Sequence, residues 1–282
     1  MFRLLMGLLA LLVAFTAQAQ GAGTMKKIRD AKSISLGYRT DSPPFAFRGP
    51  DGQPAGYSVD LCKRVAASVE RSLGGGTIAI KWVPLTAADR FDQVAKGAVD
   101  LECGNTSATL TRMERFDFSN LIFVDGGAVL VLAESTNGRL SDFAGKTVGV
   151  VAGTTTEQSL KSALKDKLIE AKVVAVKDEA EAMAALQAGK IDGYAADRVK
   201  LVGLVAIGKS DAKYRLVQDE FSFEPYALMM RRDPDFRLAV NRGLSQVYRS
   251  GAIGEIYDRW LAPLGKAGPL LQMMFILNAT PE

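Results

Sequence analysis

Residues 100–120, DLECGNTSATLTRMERFDFSN, carry the side chains best suited to grip an anion. An apolar run breaks at Gly104 into Asn105, Thr106, Ser107 and Thr109, each a small donor, and then delivers Arg112 from what reads as one helical turn. Arginine offers a planar fork that meets a carboxylate with two parallel hydrogen bonds, and small hydroxyl and amide groups add donors without filling the space a ligand needs. The stretch has the composition of a carboxylate receptor. The same residue types also make an ordinary hydroxyl-rich surface loop with a solvated arginine, so the choice rests on whether other parts of the chain converge here. The sequence contains no histidine, which removes serine–histidine and cysteine–histidine catalysis and the commonest transition-metal ligand. Catalysis, if any, would run on carboxylates, lysines, tyrosines or arginines.

The elements that must position this loop read as strand, helix, strand, helix, strand. ISLGY (residues 34–38) is the first strand, and the loop DSPPFAF and hairpin RGPDGQPAGY lead from it to a helix. Ser58 is its expected N-cap, and Leu61, Cys62, Val65, Ala66, Val69 and Leu73 form its apolar stripe. IAIKWV (residues 78–83) is the next strand, a second helix is expected from about Thr86 to Gly97 with Thr86 and Asp89 at its start, and AVDLEC feeds the loop. Such an order predicts a parallel sheet covered on both faces, with ligands bound off the carboxyl ends of its strands.

After a strand or strand pair in LIFVDGGAVLVLAE the order restarts with KTVGVVA. A helix opens with Thr154 and Glu157 as a capping box, VVAV (residues 173–176) is a strand, and Asp178 with Glu181 caps another helix. Phe91, Val94, Gly97, Val99 and Asp100 are matched at one constant offset by Met183, Leu186, Gly189, Ile191 and Asp192. The same offset carries Asn105 onto Asp197. Two lobes of like topology are the economical reading. The strand PYALMMR (residues 225–231) then returns to the first lobe, followed by a long amphipathic stretch from Phe236 to Leu261. The apolar tail PLLQMMFIL should dock on a lobe surface. Two crossings between lobes make a hinge, and a hinged cleft closes on a small ligand.

Residues 1–19 carry Arg3, an apolar run from Leu4 to Phe15, and Ala17-Gln18-Ala19, the pattern of an export signal cleaved after Ala19. That run is shorter than the roughly 20 apolar residues a membrane span needs. The mature chain is therefore expected to be exported to the periplasm, where the two cysteines, Cys62 and Cys103, read as one disulfide. A net charge of +4 with basic and acidic residues interleaved gives no nucleic-acid stripe.

In their order and spacing, GYRTDSPPF, GYSVDL, VDLECGNTS followed by Arg112, FDFSNLIFV, GTTTE, Asp197 in GYAAD, and EPYALMMRRDPDF form a strong pattern. They resemble the periplasmic solute-binding proteins of amino-acid ABC transporters, specifically the glutamate/aspartate-binding branch, over nearly all of the mature sequence. The resemblance implies an α/β, two-lobed periplasmic-binding-protein fold of type II. Each lobe would be a mixed, mainly parallel sheet flanked by helices, with two hinge strands joining residues 25–130 and 222–282 (lobe 1) to residues 131–221 (lobe 2). It implies a monomer that captures glutamate or aspartate between the lobes and delivers it to a membrane permease, with no catalysis, cofactor or metal.

Carried over by residue, Arg112 resembles the arginine that holds the α-carboxylate, helped by Ser107 and the helix start at Thr154 and Thr155, where N–H groups favour an anion. Asp197 resembles the receiver of the α-ammonium, Arg39 and Arg90 the readers of the side chain, and Asn105 a small polar contact. Arg39 also fits a solvated surface residue, Arg90 a helix residue paired with a nearby carboxylate, and Asp197 an N-cap of the next helix. The chain departs from the branch at Glu179, where a histidine is usual, and at Ala87, where a serine is usual. A carboxylate facing a dicarboxylate would repel it unless protonated or paired with Arg39 or Arg90, which keeps glutamine, asparagine or another polar amino acid as alternative ligands. Two further classes stay open: a dehydratase of cyclic carboxylic acids on the same scaffold, and a ligand-binding sensor module.

Overall fold

The computed structural model describes residues 23–208 and 213–282, so the expected export signal at residues 1–19 lies outside the described residues. The first block of elements is α1 (Thr24–Ala31), β1 (Ser33–Arg39), β2 (Asp41–Ser42), β3 (Ala46–Arg48), β4 (Pro54–Ala55), α2 (Tyr57–Ser72), β5 (Ala79–Leu85), α3 (Arg90–Ala95), β6 (Leu101–Glu102), α4 (Leu110–Met113) and β7 (Phe116–Asp125). The second is β8 (Gly127–Leu132), β9 (Thr147–Val151), α5 (Thr155–Asp166), β10 (Lys172–Val176), α6 (Glu179–Gln187), β11 (Gly193–Asp197), α7 (Arg198–Ile207) and β12 (Tyr214–Leu216). The chain closes with β13 (Glu224–Arg231), α8 (Pro234–Arg249), α9 (Ala252–Leu261) and α10 (Pro269–Leu277).

Two five-stranded sheets result, in the orders β5-β1-β6-β13-β7 and β10-β9-β11-β8-β12. In each, the first three strands run parallel and the last two join antiparallel. The two-lobed α/β architecture is thus present, with the same strand grammar in both lobes. The chain leaves the first sheet at Gly126, between β7 and β8, and returns between β12 and β13. The boundary expected at residue 130 falls inside β8, all of which pairs within the second sheet.

The short internal match has a structural meaning. Gly97 and Gly189 take positive φ values of 77° and 66° just after α3 and α6, a backbone that suits glycine. The matched aspartates that follow do the same job in each lobe. Asp100 Oδ2 accepts from Ser35 N at 2.9 Å and Asp192 Oδ2 from Thr147 N at 2.7 Å, each tying down the start of its lobe's first parallel strand.

Several helix boundaries differ from the sequence reading. Gly56, not Ser58, is the N-cap of α2: its φ is 126°, and Phe45 O lies 2.3 Å from where a Cβ would stand. Thr86 and Asp89 do cap each other reciprocally, at 2.8 and 3.2 Å, but α3 begins after this turn, at Arg90. The amphipathic stretch ending at Leu261 is broken by Gly251, φ 77°, into α8 and α9. The tail is α10, docked through buried Leu271 and Met274, with Leu270, Met273, Ile276 and Leu277 left exposed.

Two features fix the binding loop. The expected Cys62–Cys103 disulfide is formed, with Cα atoms 6.1 Å apart, joining α2 to the residue after β6. Beneath the crossings Phe45 packs edge-on to Phe123 at 5.0 Å and to Tyr226 at 5.1 Å, in the main core. Such aromatic contacts add about 0.5–1.5 kcal/mol each beyond area burial, and here they hold Tyr226, whose hydroxyl reaches the cleft.

Candidate functional site

Strand ends and helix starts from both lobes meet at one cleft. It is lined by Arg39, Arg90, Asn105, Ser107 and Arg112 from the first lobe and by Thr154, Thr155 and Asp197 from the second. These are all the expected ligand residues except Glu179. Thr156, Tyr194 and Lys200 also line it and were not singled out from sequence.

At one end the loop after β6 lies along β13, with Ala108 N donating to Pro225 O at 2.8 Å and Ala227 N to Thr106 O at 3.2 Å. The backbone of α4 is capped by Thr109 Oγ1, which accepts from Arg112 N at 3.2 Å, and Arg112 Nη1 donates to Ser107 O at 2.7 Å. Across the cleft Thr154 caps α5 by accepting from Glu157 N at 3.1 Å, while Glu157 Oε2 accepts from Gly153 N at 2.9 Å. The capping box is therefore closed one residue earlier than expected. Ser107 Oγ and Thr155 Oγ1, one from each lobe, both donate to Glu224 Oε2, at 2.5 and 2.7 Å. Glu224 opens β13 and is 1% exposed.

In the middle stands Asp197. It precedes α7 but makes no side-chain cap there. Asp125, at the end of β7, accepts from Val199 N instead, at 3.1 Å, leaving Asp197 to the cleft. Asp197 Oδ1 accepts from Thr156 Oγ1 at 2.6 Å, and Oδ2 accepts from Tyr226 OH and, at 3.3 Å, from Asn105 Nδ2. Asn105 and Asp197, equivalent by the internal match, thus touch across the lobes. The same Tyr226 hydroxyl reaches Asp125 Oδ2 at 3.3 Å. Burial, and then the neighbouring Asp197, push the Asp125 carboxyl up to about 8.

The far end is dominated by cations. Arg39, 4% exposed, is ion-paired with Asp41 at 2.9 Å and with Glu179 across the cleft at 3.4 Å. Glu179 also pairs with Lys200 of its own lobe. Burial alone would raise the Glu179 carboxyl, but Lys200 and Arg39 hold it down to about 2. Glu179 therefore pairs with a cation from each lobe. Arg90, 3% exposed, has no ion pair among the described residues; its Nη1 donates to Ala87 O, and its guanidinium lies 4.4 Å from the Phe91 ring centroid. Burial, with Arg39 and Arg112 nearby, lowers Arg90 to about 9, so it still carries its charge at neutral pH. Arg90 Nε, Asn105 Oδ1 and Tyr194 OH are buried polar atoms with no hydrogen-bond partner in the protein. Burying such groups unpaired is costly, and these three residues line the same cleft.

This geometry agrees with the comparisons. Residues 34–263 match the model of the bacterial extracellular solute-binding proteins, family 3. The chain belongs to that family. It is 33% identical over 253 residues to the L-glutamate/L-aspartate-binding protein of Pseudomonas aeruginosa, covering 89% of this chain and 84% of the relative. It is 29% identical over 259 residues to the glutamate/aspartate import solute-binding protein of Salmonella typhimurium, covering 91% and 86%. Among solved structures, the ancestral amino-acid-binding protein AncCDT-1, a precursor of cyclohexadienyl dehydratase, superposes with a TM-score of 0.71 at 26% identity, covering 84% of this chain and 99% of that one.

Two side chains of this solute-binding protein carried sequence signals that were not read. Lys200 is the lone charge inside the apolar helical run VKLVGLVAI, and Glu224 opens the quoted block EPYALMMR. Tyr194 gave less: on a strand buried along its whole length a tyrosine reads as core, and only its unpartnered hydroxyl marks it out.

Proposed function

We propose that this solute-binding protein captures an acidic α-amino acid, glutamate or aspartate, in its interlobe cleft in the periplasm and delivers it to the membrane permease of an ABC importer. The observation that carries this reading is the charge of the lining: four cations, Arg39, Arg90, Arg112 and Lys200, against one carboxylate, Asp197. A dicarboxylic amino acid brings two anions and one ammonium, which complements that set. Arg112, Ser107 and the first turn of α5 take the α-carboxylate, Asp197 takes the ammonium, and the cations of the far end take the second carboxylate. Arg90 is buried and makes no ion pair among the described residues, with Glu102 and Asp197 acting on it only at longer range, so an anion placed beside it would offset the cost of its desolvation.

A carboxamide ligand is disfavoured on this reading, since a neutral group beside Arg90 and Lys200 offers no charge to meet theirs. Catalysis is disfavoured too: Asp41 and Glu179 are both engaged with Arg39, and Glu102, near Arg39 and Arg90, is fully buried. Calorimetric titration of ligand-stripped protein with glutamate, aspartate, glutamine, asparagine, arginine and leucine tests the proposal. Glutamate or aspartate should bind tightest, with leucine undetectable. Tight leucine or arginine binding with no acidic ligand bound would overturn it.

A further inference from the structure

Lys200 stands in the first turn of α7, 5% exposed, and lines the ligand cleft. Lysine is almost never buried this far unless paired, and its one ion-pair partner among the described residues is Glu179, at the start of α6. The same oxygen, Glu179 Oε1, takes Arg39 Nη2 from the other lobe at 3.4 Å, and Asp41 Oδ1 takes Arg39 Nη2 at 2.9 Å and Nε at 3.1 Å. Two cations and two carboxylates therefore form one buried cluster spanning the cleft.

The members of this cluster are not equally free to meet a ligand. Arg39 commits Nε and Nη2 to protein carboxylates, whereas an ammonium has three donors, of which Glu179 uses one. Arg90, facing the same cleft from α3, makes no ion pair among the described residues, Glu102 and Asp197 acting on it only at longer range. On the acidic-ligand reading above, we infer that Lys200 is a specificity-determining residue which, with Arg90, meets the second carboxylate of the ligand, and that Glu179 is the positioning residue that holds Lys200 there. The far carboxylate then bridges the lobes, Arg90 from one and Lys200 from the other, as the α-carboxylate does between Arg112 and α5. A neutral amide in the same place leaves Arg90 without an ion-pair partner and Lys200 with Glu179 alone, so the pair separates glutamate from glutamine.

The experiment is titration of glutamate and glutamine against wild type, Lys200→Met, Lys200→Arg and the double variant Lys200→Met with Glu179→Gln, with melting curves of each. Lys200→Met should weaken glutamate by about tenfold or more and glutamine by less than about threefold, and Lys200→Arg should keep the glutamate preference. If the single variant folds poorly because Glu179 loses a partner, the double variant carries the test, since both halves of that pair become neutral. It should melt near wild type and still lack the preference. A wild-type glutamate-to-glutamine ratio in Lys200→Met or in the double variant overturns the inference alone. Wild-type protein that binds neither glutamate nor aspartate overturns the acidic-ligand reading, and this inference with it.

Discussion

At the scale of single residues, the proposed function divides the cleft into a clamp for the amino-acid backbone and a reader of its side chain. Asp197 illustrates how the clamp is freed for its work: the helix behind it is capped by Asp125, so the carboxylate that sequence reading placed equally as an N-cap stays with the cleft. Arg112→Ala and Asp197→Ala should each nearly abolish amino-acid binding, a loss on the order of 2–5 kcal/mol, because each strands one desolvated charge of the ligand. Melting of the ligand-free variants should stay near wild type while the ligand-induced rise disappears, as thermal-shift curves would reveal. Arg90→Ala should weaken glutamate far more than glutamine in the same titrations, since only the acid needs the counter-ion. Much of this was legible: Asn105 and Asp197 share one offset in the sequence and touch in the fold. The state of Glu179 was not, because its partner Lys200 comes from a helix that reads as apolar and its other partner from the opposite lobe.

At the scale of elements, the alternation of strands and helices and the repeat of an apolar face, glycine and Asp gave both sheets. What local pattern could not give was where some helices begin. The start of α2 is dictated by the approach of Phe45 O to Gly56, a contact made by a loop distant from any capping signal, and no local motif encodes it. The disulfide is the element-level device that steadies the binding loop, anchoring Cys103 to a buried helix through a sequence separation of 41 residues. Removing it as Cys62→Ala with Cys103→Ala should cost about 2–4 kcal/mol of stability in denaturant titration, from the freedom returned to the unfolded chain. Binding affinity at low temperature should change much less, because the loop is also held along β13. A pair of free thiols in unreduced protein would remove the basis of this expectation.

At the scale of the whole molecule, the lobes meet through groups at the crossings that titrate. Asp125, raised from 3.8 to about 8 by burial and by Asp197, keeps a proton that the unfolded chain has already released at neutral pH. The sign follows from linkage: its stabilising contribution is complete below the unfolded value, falls as pH rises through the interval, and is lost above about 8. Melting temperature should therefore decline between about pH 4 and pH 8, and Asp125→Asn should flatten that decline; a wild-type slope in the variant would assign the effect elsewhere. Sequence reading supplied the two crossings but not this proton, which depends on the burial of Asp125 and on Asp197 brought beside it from the other lobe. The division of the cleft has a consequence for descent as well. On the proposed reading the grip on the common backbone of amino acids and the discrimination among their side chains rest on different residues, so mutation at Glu179 and Lys200 would retune which nutrient is carried while every intermediate still carries one.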